Sequence, residues 1–356
     1  MRITRNVRRL KAYTPGEQPK SLSVVKLNTN ENPYPPSPAC AEVLRRFQME
    51  RLRRYPDPAI SELRAALAEL NGTTPERIFV GNGSDEVLSV AAKTFVEDDE
   101  SIGSLDPSYT LYKTLAAIRG VKWVGAGNLG KLENLETLAP LARRKTSLFL
   151  WTNPNAPTGE FAEPEEIARF AKRFRGIVVV DEAYADFARG NCMALATAPG
   201  NRNIIVMRTF SKSYSLAGLR VGWCVGPKRL IDAMYKVKDS YNVDAVAQAV
   251  ALAAAKDQAW MRGNVEKVRK ARAKLADDLG RRGWDVIPSE ANFLFAKPPA
   301  PAKAADVFNR LRAKNIFVRY FPGPKTGDRL RITIGTDAQT RKLLAALDEF
   351  VPPARA

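Results

Sequence analysis

The stretch GIVVVD, residues 176–181, decides the fold class of this 356-residue chain. Its apolar residues fall on consecutive positions, whereas a strand with one face in water would alternate apolar and polar residues. Consecutive apolar residues in so short a run are typical of a strand that is covered on both faces by helices. The stretch therefore predicts a central strand of an α/β protein.

Strand-like runs and helical periods alternate on both sides of this stretch. The runs, each bounded by turn residues, are RIFV (77–80), SIGSL (101–105), VKWV (121–124), SLFLW (147–151), GIVVVD itself, NIIVMR (203–208) and VGWCVG (221–226). Strands that alternate with helices of about 10–15 residues predict crossover connections and a mostly parallel sheet. We therefore expect a three-layer α/β/α domain around a seven-stranded sheet.

The pattern changes in the C-terminal third of the chain. Long helical periods cover 228–255 and 257–282, and a short region of mixed helix and strand follows them. This change predicts a large domain over 31–250 and a smaller α+β domain over 251–356.

Composition excludes several kinds of chemistry. The chain contains no histidine, which removes histidine-based triads, histidine-ligated metals and histidine general bases. Its three cysteines are odd in number and form no CxxC pair, which predicts a cytoplasmic protein without disulfides or a structural metal. Because no apolar run approaches the roughly 20 residues of a membrane span, we expect no membrane partner.

The formal net charge of +18 has three interpretations. It can reflect a basic surface that keeps the protein soluble, attraction of anionic small molecules, or binding of nucleic acid. The basic residues are scattered and accompany no nucleic-acid-binding motif, which argues against the third interpretation.

The segment GNGSDEVL (81–88) has the composition of an anion-binding turn. It follows the run RIFV and opens a helical period, so Gly81 and Gly83 allow backbone amides to crowd an anion. Ser84 and Asp85 would begin the helix. The alternative is that Ser84 only caps the helix.

A carboxylate stands where the central strand ends. Asp181 closes GIVVVD at the carboxyl edge, where open α/β sheets bind ligands, and Tyr184 follows it closely. A buried carboxylate needs a partner, and a cationic ligand nitrogen or an arginine can serve. The alternative is an Asp that caps the next helix.

The segment RTFSKSYSLAGLRVGW (208–223) surrounds one lysine with hydroxyls and an arginine. A lysine that reacts as a nucleophile must be partly deprotonated, which requires burial or cationic neighbours, and Arg220 lies eight residues after Lys212. Neighbouring hydroxyls can orient a phosphate. Together with Asp181, this set suits pyridoxal 5'-phosphate, which requires a Schiff-base lysine, a carboxylate for the pyridine nitrogen and a phosphate cradle.

Ten stretches, found in the same order, carry a resemblance to a known family. They are LNTNENPYPPSP (27–38), RRYPDP (53–58), GNGSDE (81–86), DPSYTLY (106–112), NPNAPTG (153–159), VVVDEAY (178–184), TFSKSYSLAGLRVG (209–222), EANFLF (290–295), FVRYF (317–321) and LRITIGT (330–336). With them the chain resembles the fold-type I pyridoxal-phosphate aminotransferases, and within that class the histidinol-phosphate aminotransferases.

The resemblance implies a role for each matching residue around the cofactor. Lys212 would form the Schiff base and move the proton, Asp181 would keep the pyridine nitrogen protonated, and Tyr184 would bond the phenolic oxygen. Tyr109 would stack on the ring. Ser84, the backbone of Asp85, Ser211 and Arg220 would hold the phosphate, and Thr209 is a further predicted cofactor-binding residue, whose hydroxyl can orient that phosphate. Tyr55 would reach the cofactor of a partner subunit, so the active form would be a homodimer, with residues 1–30 as an arm that joins the small domain and the dimer contact.

One position departs from the family pattern. The family carries an asparagine before Pro-Thr-Gly that contacts the phenolic oxygen, and this chain has Ala156 there. We expect Asn153 or Asn155 to supply the missing contact.

The substrate pocket is also implied by the resemblance. Its residues would be Tyr13, Asn30, Arg319 and Arg331, because arginines suit an oxyanion at the far end of a substrate. Taken alone, Arg319 could equally be a surface arginine of a strand.

The expected reaction is a ping-pong aminotransfer that interconverts histidinol phosphate and 2-oxoglutarate with imidazole-acetol phosphate and glutamate. Three alternatives stay open: an aromatic amino-acid aminotransferase, a threonine-phosphate decarboxylase, and a non-catalytic protein of the same fold that binds nucleic acid or regulates.

Overall fold

The computed structural model describes residues 3–10, 17–19, 23–127 and 135–350. Its α-helices are α1 (Arg5–Arg9), α2 (Pro38–Arg46), α3 (Ser61–Leu70), α4 (Ser84–Phe95), α5 (Leu111–Arg119), α6 (Leu135–Arg143), α7 (Pro164–Arg173), α8 (Met193–Thr197), α9 (Lys228–Tyr235), α10 (Ala245–Lys256), α11 (Gln258–Gly280), α12 (Ala304–Ala313) and α13 (Asp337–Phe350). Within these ranges, none of the helices has both the length and the apolar character needed to cross a membrane.

The strands form three sheets. They are β1 (Val25–Lys26), β2 (Ile78–Gly81), β3 (Ser101–Leu105), β4 (Lys122–Ala126), β5 (Thr146–Thr152), β6 (Ile177–Asp181), β7 (Ile204–Thr209), β8 (Gly222–Val225), β9 (Asp285–Ile287), β10 (Phe293–Lys297), β11 (Ile316–Phe317), β12 (Arg319–Tyr320) and β13 (Leu330–Thr333). Strands β2 to β8 include all seven strands predicted from the sequence, with ends that differ by at most two residues.

The large sheet has the strand order β2-β8-β7-β6-β5-β3-β4. Its neighbours pair in parallel except along β8, which is antiparallel to both β2 and β7. The stretch GIVVVD forms β6, the middle strand. This arrangement confirms the predicted α/β class and the mostly parallel seven-stranded sheet.

The alternate residues of β6 pack into two different cores. Val178 and Val180 belong to one hydrophobic cluster and Val179 belongs to another, and all three are fully buried. Burial of each such side chain contributes about 1.5–3 kcal/mol. The consecutive apolar residues are therefore explained by helices on both faces of the sheet.

The C-terminal region carries a second, antiparallel sheet with the order β12-β13-β10-β9. The short strand β1 pairs in parallel with β11, so the chain before the large sheet is tied to the region after it. The predicted single helix over 228–255 is wrong: α9 ends at Tyr235 and α10 begins at Ala245. The turn residues between them interrupt the helix, and the Asp244 side chain caps α10 by accepting from the Ala247 N–H.

Candidate active site

A cavity of about 640 Å³ opens at the carboxyl ends of the central strands. Most of the residues predicted for the site line it: Asn30, Ser84, Asp85, Tyr109, Asp181, Tyr184, Thr209, Ser211, Lys212, Arg220, Arg319 and Arg331. These residues come from segments up to about 300 positions apart. Most of them lie at the carboxyl ends of strands in the large sheet, which share one edge, whereas Arg319 and Arg331 come from the separate antiparallel sheet.

Lys212 lies on the turn that follows β7 and is half-buried in the cavity wall. Its Nζ donates to the carbonyl oxygen of Thr29 at 3.2 Å. Burial first, and then the positive charge of Arg331, lower the pKa of Lys212 from its ordinary value to about 8. A fraction of the amine is therefore uncharged and nucleophilic near neutral pH.

Asp181 ends β6 and is buried at the cavity floor. Its Oδ2 accepts from the Tyr112 hydroxyl at 2.8 Å, and its Oδ1 accepts from the Ala183 N–H at 3.1 Å. Both donors are neutral, so burial prevails and raises the pKa of Asp181 to about 6. A cationic nitrogen of a ligand at this carboxylate would lower that pKa again and restore the charge.

Tyr112 is a site residue that sequence reasoning missed. It is fully buried on α5, and its hydroxyl also lies 2.5 Å from the Thr152 hydroxyl. Tyr112 follows Tyr109 by three residues in DPSYTLY, and Tyr109 lies in the turn directly before α5, where the Tyr112 N–H donates to its carbonyl oxygen and the two ring centres lie 5.7 Å apart. That i, i+3 spacing was the available signal.

Tyr184 points its hydroxyl into the same cavity and is held there by Asn30. The Asn30 Nδ2 donates to the Tyr184 hydroxyl at 3.0 Å, and the Thr333 hydroxyl in turn donates to the Asn30 Oδ1 at 3.1 Å. Asn30, predicted as a substrate ligand, thus lines the cavity and also orients Tyr184.

An anion cradle forms where α4 begins. Gly83 precedes the helix with a φ of +83°, and a Cβ atom placed there would lie 2.6 Å from the Arg220 Nη2. A side chain at position 83 would be strained at this φ and would displace the Arg220 guanidinium from its place beside the first turn of α4. The free N–H groups of this turn, the Arg220 charge and the hydroxyls of Ser84 and Ser211 suit a phosphate.

The two asparagines expected to replace the contact at Ala156 are turned elsewhere. Asn153 exchanges hydrogen bonds with the Ala162 backbone, at 2.9 Å from its Nδ2 and 2.8 Å to its Oδ1. The Asn155 Nδ2 donates to the Pro107 carbonyl and the Thr158 hydroxyl, both at 3.1 Å. Ala156 lines the cavity and neither asparagine does: the Asn153 amide is engaged within the 153–162 turn, and the Asn155 amide joins that turn to Pro107 and Ser108.

Two further predicted residues lie outside this cavity or outside the described structure. Tyr55 is 80% exposed and stacks on Tyr241, with ring centres 4.3 Å apart and planes 15° apart. It does not line the cavity of its own chain. Tyr13 falls outside the described residues.

Arg319 and Arg331 are direct cross-strand neighbours on β12 and β13. Both line the cavity, and both guanidinium groups approach the Phe321 ring, at 5.3 Å and 5.1 Å from its centre. The Arg331 Nη2 also donates to the Asn28 carbonyl at 3.0 Å. Like charges placed opposite each other repel, and a ligand anion between them would relieve this repulsion.

Fold and site together define an enzyme that presents a half-buried lysine and a buried strand-end aspartate to an anionic, aromatic cofactor. The sequence matches the model of the aminotransferase class I and II family over residues 23–347.

Curated relatives narrow the class further. The chain is 41% identical to histidinol-phosphate aminotransferase 1 of Nostoc sp. over 347 residues, which cover 97% of each chain. It is 43% identical to histidinol-phosphate aminotransferase 2 of Rhizobium meliloti, over 96% of this chain and 97% of the relative. The chain thus belongs to the aminotransferase class I and II family, and within it to the histidinol-phosphate aminotransferases.

A solved structure agrees with this membership. The crystal structure of histidinol-phosphate aminotransferase from Sinorhizobium meliloti, in complex with pyridoxal 5'-phosphate, superposes with a TM-score of 0.87 at 26% identity. The match covers 98% of this chain and 97% of that one.

Proposed function

We propose that this protein uses pyridoxal 5'-phosphate to interconvert histidinol phosphate and 2-oxoglutarate with imidazole-acetol phosphate and glutamate. The observation that carries the substrate assignment is the cross-strand pair Arg319 and Arg331, which faces the same cavity as Lys212. Two adjacent guanidinium groups can bind a phosphate monoester with several hydrogen bonds.

The residues present fit the cofactor. Pyridoxal phosphate, when bound, supplies an aldehyde for an amine to take up and a ring that accepts electrons. The first turn of α4 and Arg220 would hold its phosphate, Asp181 would hold the proton on the ring nitrogen, and the Tyr184 hydroxyl would bond the phenolic oxygen. Tyr109 would cover the ring.

Lys212 has two tasks in this proposal. Its amine, with a pKa lowered to about 8, would be the nucleophile that takes up the cofactor aldehyde. When it is not bonded, the Lys212 Nζ would be the group that accepts the proton from the substrate carbon and gives it back. Both tasks require an uncharged amine, which burial and Arg331 favour.

The site must accept two substrates with different far ends. Histidinol phosphate presents a phosphate monoester, and glutamate presents a second carboxylate. A guanidinium group pairs with either oxyanion, so the same arginines can serve both half-reactions. We expect the phosphate to use Arg319 and Arg331 together, and glutamate to depend mainly on Arg331 for its α-carboxylate.

Removing Arg319 tests this division. Arg319→Ala is expected to lower kcat/KM for histidinol phosphate more than for glutamate, by about 1–3 kcal/mol in transition-state binding, because a charged group loses its partner. The measurement is kcat/KM for histidinol phosphate, glutamate and phenylalanine in both proteins. Arg329→Ala is the matched control, since Arg329 is close in sequence but donates to the Asp285 carbonyl at 2.8 Å and does not line the cavity.

Other outcomes identify the competing functions. If wild type prefers phenylalanine and Arg319→Ala is indifferent, the protein is an aromatic aminotransferase. If phosphothreonine loses its carboxylate on the enzyme, the decarboxylase interpretation holds.

We also propose an oligomeric state, domain boundaries and a cellular compartment for this protein. We infer a homodimer in which Tyr55, exposed in its own chain, reaches the partner's cofactor. The large domain would span 31–250, the small one 251–356, and residues 1–30 would form an arm. Buried, unpaired cysteines at 40, 192 and 224 suit the cytoplasm.

Mixing two inactive variants tests the role of Tyr55. We expect Tyr55→Ala to lose cofactor and Lys212→Ala to lack the reacting amine. In a mixed dimer, one site carries both defects and the other carries none. Equal mixing with full subunit exchange should therefore restore about a quarter of the wild-type activity. Absence of recovery, with exchange verified, would show that Tyr55 acts within its own chain.

A further inference from the structure

The turn that carries Lys212 is held by side chains from two directions. From one side, the Asn32 Nδ2 donates to the carbonyl oxygens of Lys212 and Ser213, each at 3.2 Å. From the other, the Ser213 hydroxyl donates to the Asp186 Oδ2 at 2.5 Å. The residue directly after the reacting lysine is thus fixed through both its backbone and its side chain.

Asp186 is itself anchored to a buried ion network. The Arg208 Nη1 lies 2.6 Å from the Asp186 Oδ1, and the Arg208 Nε lies 2.8 Å from the Glu182 Oε2. The Glu182 side chain is fully buried and that of Arg208 is 13% exposed. Removing one partner from such a network leaves an unpaired buried charge, so its geometry is strongly restrained.

The network joins the two segments that carry the chemistry. Glu182 and Asp186 belong to the segment that directly follows Asp181, the last residue of β6, and contains Tyr184, whereas Arg208 lies on β7 and Ser213 follows Lys212 on its turn. None of these four residues lines the cavity. Their hydrogen bonds therefore act on the reacting groups only through the backbone.

We propose that Ser213, held by Asp186 and Arg208, positions Lys212 against the cofactor carbon with which its amine reacts. This inference rests on the proposed function, since it presumes that Lys212 bonds to pyridoxal phosphate. A lysine side chain has four rotatable bonds, so a fixed Cα is the main restraint on where its Nζ can go. Reacting groups must be held within about 0.5 Å of productive geometry, and a loose turn would exceed that tolerance.

Binding of the two forms of the cofactor distinguishes a role of Ser213 in positioning Lys212 from a role in the stability of the whole protein. The aldehyde form, pyridoxal phosphate, condenses with the Lys212 amine and releases water, whereas the amine form, pyridoxamine phosphate, cannot bond to a lysine. Both forms use the same phosphate cradle and the same aspartate. If only the position of Lys212 is disturbed, binding of the aldehyde form should therefore weaken and binding of the amine form should not.

The experiment measures the dissociation constants of both forms for the apo-protein. Ser213→Ala is expected to raise the dissociation constant of pyridoxal phosphate about tenfold, which is the effect of losing one charge-assisted hydrogen bond. The dissociation constant of pyridoxamine phosphate should not change. Ser213→Thr, which keeps the hydroxyl, should restore the wild-type value. Asp186→Asn should show the same selective loss, because the charge that holds the hydroxyl is gone.

Two reference variants complete the design. Ser215→Ala is the matched control on the same turn, because the Ser215 hydroxyl is buried but makes no hydrogen bond with any described residue. Lys212→Ala should bind both forms alike. If Lys212→Ala keeps a preference for the aldehyde, the proposed function fails. If Lys212→Ala behaves as expected but Ser213→Ala weakens both forms equally, or neither, the positioning role is overturned.

Discussion

Lys212→Ala is expected to abolish aminotransfer. The substitution removes both the amine that bonds to the cofactor and the base that moves the proton, and a positioned base alone is worth about 10²–10⁴-fold in rate. Steady-state turnover of histidinol phosphate with 2-oxoglutarate should therefore fall by at least about 10³-fold. The cofactor should still bind, because the phosphate contacts that we propose at α4 and Arg220 do not involve the lysine.

The absorbance spectrum separates this result from simple loss of cofactor. Wild type should show the band of a lysine adduct, and Lys212→Ala should show the band of the free aldehyde on the protein. Lys145→Ala serves as the control, since Lys145 is a 68% exposed lysine that pairs with Asp99 at 2.6 Å, and its turnover should equal that of wild type. Near-normal turnover by Lys212→Ala would remove the aminotransferase assignment for this site.

Much of the fold could be predicted because its signals are local. A run such as GIVVVD shows its double-sided burial in six residues, and the turn residues around each run mark its ends. The same locality explains the failure over 228–255. The helical period continues past Tyr235, but the polar residues between 239 and 244 favour turns, and Asp244 starts a new helix instead.

The parts of the site that could not be predicted are contacts between distant segments. Tyr112 belongs to the site because its hydroxyl donates to Asp181, which lies 69 positions later in the chain. The sequence pattern does not indicate that these two side chains meet in space. The pairing of Arg319 with Arg331 depends on the register of β12 and β13.

Asn153 and Asn155 show that residues close together in the sequence can also be predicted wrongly. They stand close to Ala156 in the sequence, yet the Asn153 amide bonds to Ala162 and the Asn155 amide bonds to Pro107. Nearness along the chain does not determine where a side chain points.

Asp181→Asn is expected to slow each half-reaction by about 10²-fold or more, while cofactor affinity changes by less than about tenfold. The carboxylate favours a protonated ring nitrogen through its charge, and the amide has no charge with which to do so. Tyr112 can still donate to the amide oxygen, and the first turn of α4 still binds the phosphate, so the cofactor stays in place. Single-turnover rates with histidinol phosphate and with glutamate measure the loss.

The pH dependence of the half-reaction rate is a second, independent test of the role of Asp181. Burial holds the pKa of Asp181 at about 6 in the protein alone, so the group is ionised above that pH and takes a proton below it. A cationic ring nitrogen would lower this raised pKa again, so in the loaded wild type the loss of rate should begin below pH 6. In Asp181→Asn this acid limb should be absent. Asp99→Asn, which changes an exposed surface carboxylate, should keep both the wild-type rate and the acid limb.

A half-reaction rate of Asp181→Asn within about threefold of wild type corresponds to only roughly 0.7 kcal/mol of barrier. Such a result would mean that Asp181 serves the fold instead of the ring nitrogen.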